Sequence, residues 1–531
     1  MDTKALRQKV LDLAIRGKLV PQDPNDEPAS VLLERIRQQK QQMVKDGKLK
    51  AKDIKNDTII FVGEDNLHYE KFADGSVKCI EDEIPFDLPD SWAWSRIGPL
   101  CEYITSGSRG WAQYYSDTGS LFLRMGNLSR DSFELRLDNL QRVNLPDNAE
   151  GVRTRVVEND LLFSITAEIG MLGLIPADFE EAYINQHVGL IRFLKAAQTK
   201  YFPYILMSNF CRNQYYIVQS GMKNSFRLDN IQNILAPVPP LIEQIRIAEK
   251  LSSIWAQIQQ IDVESVEASD LIAQAKSKIL DLAIRGQLVP QDPADEPASV
   301  LLERIWAEKE EHIQQGKIKR DKKESVIFRG EDNSYYLNDG TSTIDISEEL
   351  PFDIPDSWCW GRLKDIVMIN PRNKLDDDTM VAFIPMPLIE DGYSGRHTSE
   401  VRKWKEVKTG FTHFQEGDVG VAKITPCFEN RKSAIFENLC NGFGAGTTEL
   451  HVFRPYNGTI LPQYLLAYMK SAQFVENGKQ TFSGAVGQQR LSKEYVENAY
   501  FPIPPMEEQK RIVHQLGIVF KHLNSISDSL S

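Results

Sequence analysis

Apolar residues recur along this chain in two rhythms. The longer one begins at Ile247 and steps alternately by four and three through Leu251, Ile254, Ile258, Ile261, Ser265, Ala268, Ile272, Ala275, Ile279 and Leu282. Such a stripe holds one helix face against a partner and predicts a coiled-coil strand, roughly 50 Å long at about 1.5 Å per residue. Pro239 and Pro240 set an extended elbow before it. Glu243, with Gln244, lies in the first turn, where an acid suits the positive helix end, and Gly286 is placed to stop the helix. The stripe starts again at Ile512, Leu516, Val519, Leu523, Ile526 and Leu530, behind an equivalent elbow of Pro504, Pro505, Glu508 and Gln509.

The shorter rhythm marks strands. SLFLRM and DLLFSIT precede the first long helix, and DVGVAKI and TELHVF precede the second. Each group closes on a helix-like run, YFPYILMSNFCRNQYYIV or LPQYLLAYMKSAQFV. The pattern predicts two small mixed α/β domains in an α+β chain.

The two halves are copies. LDLAIRGKLVPQDPNDEPASVLLERI, from Leu11 to Ile36, returns as LDLAIRGQLVPQDPADEPASVLLERI from Leu280 to Ile305, and only Lys18/Gln287 and Asn25/Ala294 differ. The echo continues in GEDN at Gly63 and Gly330, in PFDLPDSWAW from Pro85 and PFDIPDSWCW from Pro351, and in PVPPLIEQ from Pro237 and PIPPMEEQ from Pro502. A frame is thus kept around two inserts that differ freely. The chain divides into a frame over 1–90, a first insert over 91–236, a long helix over 237–286, a second frame over 287–356, a second insert over 357–501 and a C-terminal helix over 502–531. Duplication followed by drift would also leave unequal inserts.

The second stripe breaks off at Ser531, and its missing half is at the other end of the chain. By the offset from Leu11 to Leu280, Thr3, Leu6, Val10 and Leu13 match Ile272, Ala275, Ile279 and Leu282, on a helix that Gly17 ends. The expected architecture is an internal duplication in a cyclic pseudo-two-fold arrangement, joined by a long antiparallel two-helix coiled coil. In it the N- and C-terminal helices stack end to end and the termini lie close together. DEPASVLLERI opens a further helix in each frame, with Asp26 and Asp295 as expected caps and Pro28 and Pro297 in the first turn.

Composition narrows the chemistry. With 62 basic against 75 acidic residues the net charge is −13, which argues against a basic coat but leaves room for a local basic cleft. There is no run of about 18 apolar residues and no signal-peptide core at the start, so a cytoplasmic chain without a membrane partner is expected. Cys79, Cys101, Cys211, Cys359, Cys427 and Cys440 are scattered, which predicts free thiols and no metal site. Phosphate-loop, dinucleotide and H-E-x-x-H signatures are missing, and NPRN at Asn370 departs from the Asn-Pro-Pro-aromatic loop of amino-methyltransferases. A nuclease set of Asp391, Glu406 and Lys408 rests on nothing firmer than a chance Glu-x-Lys, so no catalytic residue is expected.

Polar, glycine-punctuated loops hold the candidate contacts. In the first insert TSGSRGWAQYY offers Ser108, Arg109 and Trp111, RMGNLSR offers Arg124 and Asn127, and GMKNSFR offers Asn224 and Arg227. In the second insert NPRNK offers Asn370, Arg372, Asn373 and Lys374, and SGRH offers Arg396. ENRK adds Asn430 and Arg431, and SGAVGQQR adds Gln488, Gln489 and Arg490. Arg, Asn and Gln match the edges of guanine and adenine, and Lys, Ser and Thr suit phosphates. Ordinary solvated turns share this composition.

The order of insert, long helix, insert, long helix, with P-x-P-P-x-x-E-Q at each helix start and PDSWxW at each insert start, resembles the specificity subunits of type I restriction-modification enzymes over essentially the whole chain. The resemblance implies two target recognition domains, each reading half of a bipartite double-stranded DNA site, with the paired helices setting the gap. It implies assembly with two methyltransferase subunits, which bind S-adenosylmethionine and methylate adenine at N6, and with restriction subunits that translocate and cut DNA. This chain would hold no cofactor itself. Unequal inserts imply an asymmetric target, and the repeated block around Leu11–Ile36 would either dock a partner or brace the turn. Two other readings stay open: a coiled-coil scaffold whose inserts bind proteins, and a nuclease fused to recognition domains.

Overall fold

The computed structural model describes residues 2–107, 109–146, 154–217, 226–320, 324–485 and 488–530. It forms two compact units, Met1–Glu264 and Ser265–Ser531, and the helix Leu241–Ile284 contributes its first part to one and its last part to the other. Among the described residues no helix is long and apolar enough to cross a membrane.

In the first unit the insert begins and ends on one antiparallel pair, Ala93–Arg96 with Leu235–Val238, so its two ends meet where the long helix starts. Inside lie two four-stranded sheets. One is antiparallel, in the order Leu172–Leu174, Leu161–Ser164, Val188–Phe193, Cys101–Ser106. Leu161–Ser164 is buried on both faces, which is why it reads as a continuous apolar run and not as an alternation. The other sheet runs Ala182–Ile184, Ser120–Leu123, Arg142–Val143, Tyr115–Ser116, its first pair parallel. The second unit repeats this plan with different residues. Cys359–Arg362 pairs with Tyr500–Ile503, and the sheets run Val367–Ile369, Leu450–Pro455, Val419–Ala422, Ser433–Ile435 and Glu400–Lys403, Met380–Ile384, Phe443–Gly446, Thr412–Gln415.

The helix-like runs that close the inserts each split in two. Tyr201–Leu206 is followed by Asn209–Ile217, and Pro462–Met469 by Ala472–Lys479. Ser208 and Ser471 break them: the Ser471 hydroxyl accepts from the Phe474 N–H, and the Ser208 hydroxyl from the Cys211 N–H. Apolar periodicity continues through both breaks, so it hides them.

Within the first unit the helix Thr3–Ile15 packs along the start of Leu241–Ile284, with Val10, Leu11, Ala14, Ile15, Ile247 and Leu251 in one core and Arg7 paired to Asp262 at 2.7 Å. Within the second, Met506–Leu530 runs antiparallel to the end of Leu241–Ile284. Lys276 donates to Asn524 at 2.6 Å and Ser265 to the Leu530 carbonyl at 3.3 Å. Every position of the first stripe from Ile247 to Leu282 is buried or half-buried. Ile526 is not: it is 50% exposed, because the inward stripe passes through Phe520, Leu523, Ser527 and Leu530. A second buried stripe, Leu11, Ala14 and Ile15 with Leu280, Ala283 and Ile284 as its copy, faces the cores of the units and is absent from the heptad pattern.

The repeated block builds a joint at each elbow. Gly17 and Gly286 end their helices at φ +64 and +68, and a Cβ there would meet Pro89 at 2.5 Å or Pro355 at 2.4 Å. The next turn sends Gln22 to Glu243 at 2.5 Å, while the Trp92 indole N–H donates to the same carboxylate at 3.0 Å. Gln291 and Trp358 hold Glu508 in the same way, at 2.6 and 2.9 Å. Burial raises the pKa of both carboxyls. Asp26 and Asp295 do not cap the following helices: Pro28 and Pro297 occupy the cap positions, with no side-chain cap bond. Both carboxylates instead take two hydrogen bonds from Arg246 or Arg511, the shorter 2.6 Å in each case. The block therefore braces the turn between frame and long helix. Asp26→Ala and Asp295→Ala should each cost about 1–2 kcal/mol, since one face of each arginine stays in solvent. Denaturant midpoints followed unit by unit by hydrogen exchange check this, and costs differing by more than about 1 kcal/mol would reject the duplicated joint.

Candidate nucleic-acid interface

The loop after the edge strand of each antiparallel sheet is tied back to the neighbouring strand by a backbone bond. The Gly107 N–H donates to Val188 O at 3.1 Å, and the Asn370 N–H donates to Val452 O at 2.7 Å. Two residues further on stand Arg109 and Arg372, both exposed. Gly107 is needed there because a Cβ would lie 2.1 Å from the carbonyls of Ile184 and Asn185. Arg109 has no ion-pair partner among the described residues. Arg372 is anchored through Nη1, which donates to Phe411 O at 2.9 Å and lies 3.5 Å from His413 Nε2, and so holds a fixed direction.

Several sequence candidates are taken up by the fold. Trp111 is 6% exposed and stacks on Phe122, with ring centroids 5.5 Å apart, as part of a small core. Asn127 is buried: its Oδ1 accepts from the Arg124 N–H and its Nδ2 donates to the carbonyls of Arg136 and Asn139. Asn370, at φ 53, accepts from the Val452 N–H, and Asn373 bridges Phe414 O and Arg454. Arg431 lies over the Tyr393 ring and donates to Lys470 O. Arg490 is held by both oxygens of Glu449 at 2.9 Å, which neutralises it. Trp111, Asn127, Asn370, Asn373 and Arg431 thus support a turn or core, while the Arg490 side chain stays 45% exposed beside its partner.

Arg124 is half-buried and reaches Asn139 at 3.4 Å, and Gln489 is half-buried. The exposed remainder comprises Arg109, Arg227, Arg372, Lys374, Asn430, Gln488 and Arg396, the last paired to Glu390 at 3.1 Å. Ser108 and Asn224 lie outside the described residues. The nuclease set is not assembled: Lys408 pairs with Asp377 at 2.7 Å, and Asp391 faces Lys432 at 3.5 Å.

Arg372 also lines a cavity of about 310 Å³ with Lys423, His413, Thr412 and Thr448, and none of its described lining residues is a carboxylate. Burial and the Arg372 charge lower the pKa of His413, which keeps that ring neutral near pH 7. Sequence reasoning missed Lys423 and His413. Lys423 sits at the end of a strand-like run, and His413 was one histidine among eight. In the first unit the matching backbone position carries different groups: Thr166 Oγ1 lies 2.9 Å from His187 Nδ1, and Gln186 lies 3.1 Å from His187 Nε2. The equivalence is set by Ile165 N to His187 O at 3.0 Å and Lys423 N to Glu449 O at 2.9 Å. One scaffold therefore presents Thr, Gln and His in one copy and Lys, Thr and a Glu–Arg pair in the other. Such groups position on phosphates or read base edges.

The family model for the type I restriction modification DNA specificity domain matches residues 91–267 and 355–529. The specificity subunit of the type I restriction enzyme EcoAI from Escherichia coli is 47% identical over 260 residues, which are 49% of this chain and 40% of that protein. The EcoEI specificity subunit, also from Escherichia coli, is 46% identical over 243 residues, 46% of this chain and 38% of that protein. The match thus spans 40% or less of the length of these curated relatives. A solved chain from work on complex assembly and conformational transition of the type I R-M system shares the fold. Its TM-score is 0.53 at 16% identity, over 84% of this chain and 94% of that one.

Proposed function

This chain belongs to the type I restriction modification DNA specificity family, and on that premise we propose that it is the DNA-recognition subunit of a type I restriction-modification complex, reading an asymmetric bipartite site. The observation that carries this reading is one backbone position of a duplicated scaffold, fixed by Ile165 N to His187 O and by Lys423 N to Glu449 O, whose neighbouring groups differ between copies, with exposed Arg109 and Arg372 on the loop that follows the edge strand in each. The shared scaffold gives both halves a basic loop at the same sheet edge, and unequal groups on it give each half its own sequence. The recognition domains are 91–236 and 357–501.

The segments 237–286 and 502–531, completed by the N-terminal helix, are proposed as the antiparallel coiled-coil spacer of a cyclic pseudo-two-fold molecule. The repeat offset supports this, because it supplies from the N-terminus the half-stripe that the C-terminal helix lacks. The partners are double-stranded DNA, two methyltransferase subunits that carry S-adenosylmethionine, and restriction subunits, in the cytoplasm. The chain itself performs no catalysis and holds no cofactor.

Mapping methylated adenines across the genome of a host that expresses this chain with its methyltransferase partner tests the reading. Two unrelated half-sites at constant spacing are expected. A palindromic or ungapped site, or no new methylation, would refute it.

A further inference from the structure

Between the helices Thr3–Ile15 and Asn209–Ile217 and the first part of Leu241–Ile284, the first unit encloses a cavity of about 180 Å³. Lys4, Arg7, Arg130 and Arg212 line it, and Asp131 is the single carboxylate among its described lining residues. Two lining side chains carry buried N–H groups with no acceptor among the described residues, Arg7 Nε and Trp255 Nε1. A buried donor without an acceptor is unfavourable, so two at one basic cavity call for an acceptor-rich guest.

The cations are positioned. Carboxylates both fix three of them and offset their charge, Arg7 by Asp262 at 2.7 Å, Arg130 by Glu168 at 2.5 Å and Arg212 by Asp131 at 3.9 Å, with the Arg130 carbonyl accepting a further Arg212 N–H, so the net charge at the cavity is that of Lys4. Lys4 is exposed.

The second unit repeats the frame without this chemistry. By the repeat offsets Lys4 becomes Ala273 and Trp255 becomes Phe520, and by the shared serine break Arg212 becomes Val475, which is buried. Phe520 packs edge-on against Tyr393 at 6.2 Å. Arg7 becomes Lys276, bonded to Asn524, and Met207 becomes Lys470, whose ammonium is taken up by the carbonyls of Gly392 and Arg431. Packing the same helices therefore does not require four cations and an indole N–H.

We propose that this cavity binds a phosphate group. Oxygens of tetrahedral geometry accept from several donors at once, and arginine and lysine favour that charge. The phosphate belongs either to a DNA backbone or to a free phosphate compound, and the site stands whether or not the loops at Arg109 and Arg372 read DNA.

Calorimetric titration of the full chain with inorganic phosphate and pyrophosphate tests the site. Saturable binding is expected, weakened about tenfold or more by Lys4→Gln and by Arg212→Gln and unchanged by Lys276→Gln. Lys4 is exposed, so its variant reads binding free of any folding defect. Displacement of bound phosphate by mixed-sequence duplex assigns the group to DNA, and independent binding assigns it to a free compound. No saturable phosphate binding, together with unaltered duplex affinity in Lys4→Gln, overturns the proposal.

Discussion

Arg192→Met is expected to destabilise the first unit by about 3–5 kcal/mol, because it strands a buried carboxylate. The Asp160 side chain has no solvent exposure, and Arg192 grips it through Nε at 2.7 Å and Nη2 at 2.6 Å while the Val157 N–H adds a third bond at 2.7 Å. The second unit holds the same device in Asp418 and Arg454, at 2.8 and 2.7 Å with the Gln415 N–H. Each pair ties a central strand of the antiparallel sheet to the turn before its neighbour.

The pH dependence follows from the direction of the shift. Burial raises the Asp160 pKa even with Arg192 in place, so the folded state binds its proton more tightly than the unfolded state does. A carboxyl raised on folding loses stability as pH rises from its unfolded value through its folded one. Removing Arg192 raises the folded value further and widens that window upward. The cost of Arg192→Met should therefore be smallest in acid and largest near neutral pH. Asp160→Leu with Arg192→Met should recover most of the loss, since an apolar pair leaves no stranded charge. Urea titrations at several pH values decide it: a cost that does not vary with pH would remove the buried carboxylate from the account.

The features legible in the sequence were those with a period. The heptad stripe, the two helix stops at Gly17 and Gly286 and the duplicated frame all depend on spacing, and spacing survives without knowledge of neighbours. The candidate contacts depend on partners distant in sequence. Asn127 and Asn430 look alike as loop asparagines, yet one amide is taken up by Arg136 and Asn139 and the other is exposed. Trp111 lies in a polar loop but fills a core formed with Phe122 and Val143. Asp26 has the composition of a helix cap, but an arginine 220 positions away claims it. Lys423 was invisible for the opposite reason, since it closes an apolar strand and becomes a candidate only when Arg372 and His413 are brought beside it. Local pattern finds the loop; tertiary contact decides which of its side chains are left for a ligand.

Charge reversal at the two exposed loop arginines should then separate grip from scaffold. Arg109→Glu and Arg372→Glu are each expected to weaken binding of the cognate duplex about 100-fold near 0.1 M salt, and to reduce the slope of log affinity against log salt by about 1 or more. The two lie in different compact units and share no partner among the described residues, so their effects should multiply in the double variant. Stability should change by less than about 0.5 kcal/mol, because both side chains are exposed. Arg372→Lys separates phosphate from base contact at its position. A phosphate contact tolerates the retained charge on every sequence alike, whereas a two-pronged contact to guanine loses discrimination at one base of one half-site. Electrophoretic mobility shift on duplexes with either half-site scrambled, run across a salt series, measures all of these together. Wild-type affinity and salt slope in both reversal variants would remove the arginine pair from the interface.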